Sequence, residues 1–179
     1  KKGRSRASSH PKAKRRVAMA NAEDRALREQ LVKFLRGGQA HAELKAVLDD
    51  FPVKLRGVVP TGAEHSAWQE LEHIRIALHD LLDFSTNSHY VAMQWPDDYW
   101  PKEAAPADSA AWDASVRAVK KDVADFEKLV GDPESNLYAT IPWGDGQTLL
   151  REVLVAGQHN SYHLGQIVLL RRILGAWAG

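Results

Sequence analysis

The chain has 179 residues, enough for one well-packed domain and too few for two of comfortable size. It contains no cysteine, which excludes disulfides, thiolate metal sites and a cysteine nucleophile, and no run of the about 18 apolar residues that a membrane-crossing helix needs. The net charge of +1 conceals an uneven distribution: residues 1–16 carry eight basic side chains and no acid, leaving 16 of the 24 basic residues against 23 acidic ones, or −7, over the rest.

A basic arm on an acidic body predicts a solvated, disordered tail over residues 1–21 ahead of a helical domain at 22–179. The tail lacks interleaved aromatics and the body repels phosphates, so nucleic acid is not the expected partner. No apolar secretory segment stands at the start, which makes a cytoplasmic location without membrane contact the expectation.

The first helix is expected from about Glu23 to Arg36, with Leu27, Leu31, Phe34 and Leu35 as its apolar stripe and Gly37-Gly38 as its stop. A shorter helical piece follows over about 40–50 and ends at Phe51-Pro52, and Pro60-Thr61-Gly62 reads as a loop. Ser66 with Gln69 three residues later is a capping box, opening a helix that runs through Glu72, His73, Ile74, Leu78, Leu81, Leu82 and Phe84 to about Asn87. The next stretch, Trp95-Pro96-Asp97-Asp98-Tyr99-Trp100-Pro101, with Pro106 beyond it, is expected not to be helical at all, and its aromatics suit a lid or cover over the body. A third long helix is expected over 109–130, with Trp112, Val116, Val119, Val123, Phe126 and Leu129 inward, and Gly131-Asp132-Pro133 ends it. After the loop Ile141-Pro142-Trp143-Gly144-Asp145-Gly146, the last helix spans about 148–174 with Gly175 as its stop. Four long helical patterns without a strand ladder predict an all-α bundle, and the long intervening loops suit crossover connections or a functional role.

Chemistry concentrates on the last helix. His159 and His163, four residues apart, share one helical face and can grip one divalent cation if a third ligand comes from another helix. Candidates for that ligand are His41, His65, His73, His79 and His89, with His10 in the tail. His73 lies mid-helix among apolar neighbours at Ala77 and Phe84 and can point into a bundle. His65 and His89 sit at helix ends, where water or capping is the simpler role. His79 is rotated about 240° from His73 on the helical wheel, so the two cannot face one metal. Glu72, Glu152, Asn160 and Gln166 are the sequence candidates for holding the second ring nitrogens, although Glu152 reads more simply as a surface residue. Gly157 and Gly165, each costing about 1 kcal/mol within a helix, suggest a close approach of a neighbouring helix. Tyr162 reads as a packing residue.

The segments Glu72-His73-Ile74-Arg75 and His159-Asn160-Ser161-Tyr162-His163-Leu164-Gly165-Gln166-Ile167 resemble the DinB/YfiT-like family, a group regarded as metalloenzymes, and the likeness extends from about Ala22 to Trp177, including the Trp-Pro loop and the ending Leu170-Arg171-Arg172-Ile173-Leu174-Gly175-Ala176-Trp177. The resemblance implies a four-helix bundle with long crossover loops and places the family's three metal-binding histidines on His73, His159 and His163. Three neutral imidazoles suit Zn²⁺, Ni²⁺, Fe²⁺ or Mn²⁺ and do not choose among them. The resemblance further implies a small-molecule substrate, a thiol-dependent transferase or isomerase with a low-molecular-weight thiol, and a possible homodimer. Metal-dependent hydrolysis and a non-catalytic metal-binding bundle are the alternatives. No glycine-rich phosphate loop or serine elbow is present to name a substrate.

Overall fold

The structure is a computed structural model that describes the backbone of residues 11–177 and the side chains of residues 21–177. Four long helices form the body: α1 (Pro11–Arg36), α3 (Ala67–Thr86), α4 (Ser109–Gly131) and α5 (Leu149–Ile173), with a short α2 (Leu44–Leu48) between the first two. Among the described residues there is no strand, and one isolated bridge joins Thr140 to Thr148. The all-α bundle expected from the periodicity is therefore the observed architecture.

Boundaries follow the local signals closely. The Ser66 hydroxyl accepts from the Gln69 amide at 3.2 Å while the Gln69 side chain accepts from the Ser66 amide at 3.1 Å, the reciprocal capping box. Asp108 and Thr148 cap α4 and α5 by accepting from Ala111 and Arg151. Gly37 (φ +73°) and Gly175 (φ +68°) take the left-handed backbone that stops α1 and α5. Three stretches differ from expectation. The short helix expected over about 40–50 covers only Leu44–Leu48. α1 begins at Pro11 rather than near Glu23, Pro being well suited to a first helical turn. Residues 1–10 of the expected tail lie outside the described residues. The Trp-Pro stretch is not wholly irregular, because Asp97–Tyr99 form one turn of 3-10 helix.

α3 packs against α4 and α5, and α1 packs against the same two helices, so α1 and α3 face each other across the bundle. The connections over 37–66 and 132–148 consequently cross it, as long loops allow. The core lies between the four helices and is built from Leu31, Leu35, Leu71, Ile74, Leu78, Trp112, Val119, Phe126, Val153 and Ile167. The inward face expected for α4 is buried as read, with Leu129 only partly covered.

Two buried arginines tie the crossing loops to the helices. Arg28 donates to the carbonyls of Val130 in the last turn of α4 and of Asp132 and Ser135 in the loop that follows, at 2.7–2.8 Å, satisfying a helix-end oxygen and fixing the start of the loop. Arg171 donates to the carbonyls of Val47 in the last turn of α2 and of Asp49 just beyond it, at 2.8 and 3.0 Å.

Gly157 and Gly165, expected to share one purpose, behave differently. A Cβ on Gly157 would come within 2.1 Å of the Phe34 ring, so this glycine admits α1 against α5. A Cβ on Gly165 would meet nothing within 4 Å, so close helix approach does not explain it.

Candidate metal centre

The bundle brings His73 on α3 beside His159 and His163 on α5. One ligand nitrogen from each ring lies within 4.8 Å of the others, and among the described residues this is the one group of three potential ligands so arranged. The ring centroids are 4.4–4.7 Å apart. His73 and His163 are buried and His159 is half-buried.

Hydrogen bonds fix which nitrogen of two rings is free. His73 Nδ1 lies 2.8 Å from the Tyr99 carbonyl oxygen, which only accepts, so Nδ1 carries the proton and Nε2 presents a lone pair. His163 Nδ1 lies 2.7 Å from Glu70 Oε2 and donates to that carboxylate in the same way. His159 Nε2 approaches His73 Nε2 to 3.0 Å, while its Nδ1 is buried without a partner beside Asn160, whose side-chain nitrogen and oxygen are also buried and unpaired. Burial lowers the pKa of His73, and burial with the two neighbouring imidazoles lowers that of His159 to about 4. Both rings are thus held neutral, the form that binds metal.

These residues fit a divalent cation. Two imidazole nitrogens bound at about 2.0–2.1 Å, with ligand angles of about 90–110°, stand roughly 3–3.4 Å apart, and 3.0 Å separates the nitrogens of His73 and His159.

The Trp-Pro loop roofs the triad. Trp100 stacks on His73 at 3.8 Å between centroids and 5° between planes, and its other stacking contact is His65 at 3.9 Å and 11°. Beside His163 a cleft of about 380 Å³ opens, with Glu70, His65, Trp100, Tyr162 and Gln166 on its walls. A larger groove of about 820 Å³ between α1 and the end of α4 lies away from the triad and is lined by mixed charges such as Asp24, Arg25, Glu29 and Lys33.

Other expected residues fall elsewhere. His79 is exposed and pairs with Asp122 at 3.1 Å, His41 is exposed near Ser161, and His89 is exposed beside Ser88. His65 belongs to the cleft wall rather than to a merely solvated helix end. Glu72 is buried but engages Arg75 and Ser115, and Glu152 is fully buried against Arg151, contrary to the surface role read for it. Tyr162 is 64 % exposed at the cleft and does not pack in the core. The carboxylate that holds the His163 ring is Glu70, absent from the sequence candidates although it precedes His73 by three residues and so shares its helical face. The other acceptor is a main-chain carbonyl, for which no side chain signals.

A sequence model described as the DinB superfamily matches residues 17–167, most of the chain. The chain belongs to the DinB superfamily. No curated protein and no solved structure matches it. This DinB superfamily member therefore carries the three histidines expected from the resemblance in one largely buried cluster that can hold a metal ion. No helix among its described residues is long and apolar enough to cross a membrane.

Proposed function

We propose that His73, His159 and His163 form a tripod for one divalent cation and that the protein is a metal-dependent enzyme, with thiol-dependent transfer or isomerisation favoured over hydrolysis. The observation that carries this reading is the convergence of one ring nitrogen from each of three histidines, in two of which the second nitrogen is already held, by Tyr99 and by Glu70. A cation bound there supplies Lewis acidity, which favours deprotonation of a low-molecular-weight thiol or a water and polarises a carbonyl.

The chain's own residues supply the rest. Glu70 holds the His163 ring and keeps its proton on Nδ1. Trp100 covers one face of His73 and excludes water from that side. The cleft beside His163 leaves a path for a small-molecule substrate, as a catalytic site requires and a closed structural site does not. Three imidazoles accept Zn²⁺, Ni²⁺, Fe²⁺ or Mn²⁺ alike, so composition of the purified protein decides the metal.

Elemental analysis of protein purified without a metal-affinity column tests the reading. Near-stoichiometric metal in the wild type, lost in His73→Ala and His159→Ala and retained in His79→Ala, is the expected result. Absence of metal after incubation with all four cations defeats it.

A further inference from the structure

We propose that Asp80 is a positioning residue for the ligand nitrogen of His73, acting through Tyr99. The inference rests on the reading of His73 as a metal ligand. Asp80 lies seven residues beyond His73 on α3, two turns along the same face. Both of its oxygens are used: Oδ1 accepts from the Tyr90 hydroxyl at 2.9 Å and Oδ2 from the Tyr99 hydroxyl at 2.6 Å. These phenols come from opposite ends of the segment that leaves α3 and returns over the triad, so one carboxylate closes that loop.

Tyr99 is gripped at both ends. Its hydroxyl is on Asp80, and its carbonyl oxygen accepts from His73 Nδ1 at 2.8 Å. The next residue, Trp100, lies flat on the His73 ring. The Tyr99-Trp100 pair thus holds the imidazole by edge and face, and Asp80 holds the pair. Burial and the adjacent Asp80 push the Tyr90 hydroxyl up to about 12 and raise that of Tyr99, so both phenols remain donors at neutral pH. Without the Asp80 bond, Tyr99 is held by its carbonyl's bond to His73 and by the stacking of Trp100, with Gln69 and Ser66 reaching Pro101 and Ala104 further along, so its carbonyl would be free to shift and would confine the His73 proton to Nδ1 less strictly.

The test uses the full chain with ¹⁵N-labelled histidine. In the metal-free wild type, the imidazole nitrogens of His73, assigned by their loss in His73→Ala, should report a single tautomer protonated on Nδ1. Tyr99→Phe keeps the ring and removes only the hydroxyl, and should yield a tautomer mixture, as should Asp80→Ala. Asp80→Asn, which retains one acceptor, should restore part of the wild-type signature. In parallel, the Zn²⁺ dissociation constant from chelator competition should rise roughly tenfold to a hundredfold in Tyr99→Phe, with no further rise on adding Asp80→Ala. Unchanged His73 shifts in Tyr99→Phe overturn the proposal, and do so even where Asp80→Ala does not fold. A disturbed tautomer in Tyr99→Phe with wild-type shifts in folded Asp80→Ala removes Asp80 from the role. A wild type that binds no Zn²⁺ but shows the tautomer change ends the metal reading and leaves the clamp standing.

Discussion

Glu70 Oε2 lies 2.7 Å from Nδ1 of His163, a buried carboxylate on α3 reaching a buried imidazole on α5. A carboxylate in this position orients the ring and makes its other nitrogen a better donor to metal. Glu70→Ala should therefore weaken metal binding by roughly ten- to a hundredfold, and Glu70→Gln by less, since the amide oxygen still accepts. Titration calorimetry on both variants checks the order. Equal affinities for the wild type and Glu70→Ala would remove Glu70 from the centre.

The two glycines of α5 make opposite predictions. Gly157→Ala drives a methyl into the Phe34 ring and should cost about 1–3 kcal/mol. Gly165→Ala meets open space and should stabilise by up to about 1 kcal/mol through helix propensity alone. Urea unfolding of both variants decides, and Phe34→Leu should recover part of the loss at Gly157.

Stability of the metal-free protein should fall with acid. His159 titrates near 4 when folded, below the ordinary value of 6.5, so between these values the unfolded chain binds protons that the folded chain refuses. Stability is then fully present above about 6.5 and declines as pH falls toward about 4. His73, lowered for the same reason of burial, adds to the slope. Unfolding free energies measured at several pH values should show a shallower decline in His159→Gln than in the wild type. Identical slopes contradict the assignment.

Ser66 is fully buried, accepts from the Gln69 amide and donates to the Ala104 carbonyl. Ser66→Ala removes the cap and leaves that carbonyl unpaired, so a loss of about 1–2 kcal/mol is expected. Ser66→Thr keeps the hydroxyl and should lose less, and thermal unfolding distinguishes the two.

Much of the molecule is written in short-range chemistry. The capping box at Ser66 and Gln69, the caps of α4 and α5, and the stops at Gly37 and Gly175 depend on residues within a turn of one another, so the sequence determined where those helices begin or end. Helical periodicity put His159 and His163 on one face and set His79 away from His73 for the same local reason. What lies across the bundle was decided by tertiary structure alone. No spacing along the chain states that α3 packs on α5 with Glu70 facing His163, or that Tyr99 presents a carbonyl to His73 while its hydroxyl reaches Asp80. The burial of Glu152 and the clearance at Gly165 depend on what neighbouring helices bring, and Glu70 carries no local signal because its partner lies 93 residues away. Local propensity selects helices and faces. The pairing of faces, and with it the outer contacts of the histidine cluster, follows from packing between segments distant in sequence.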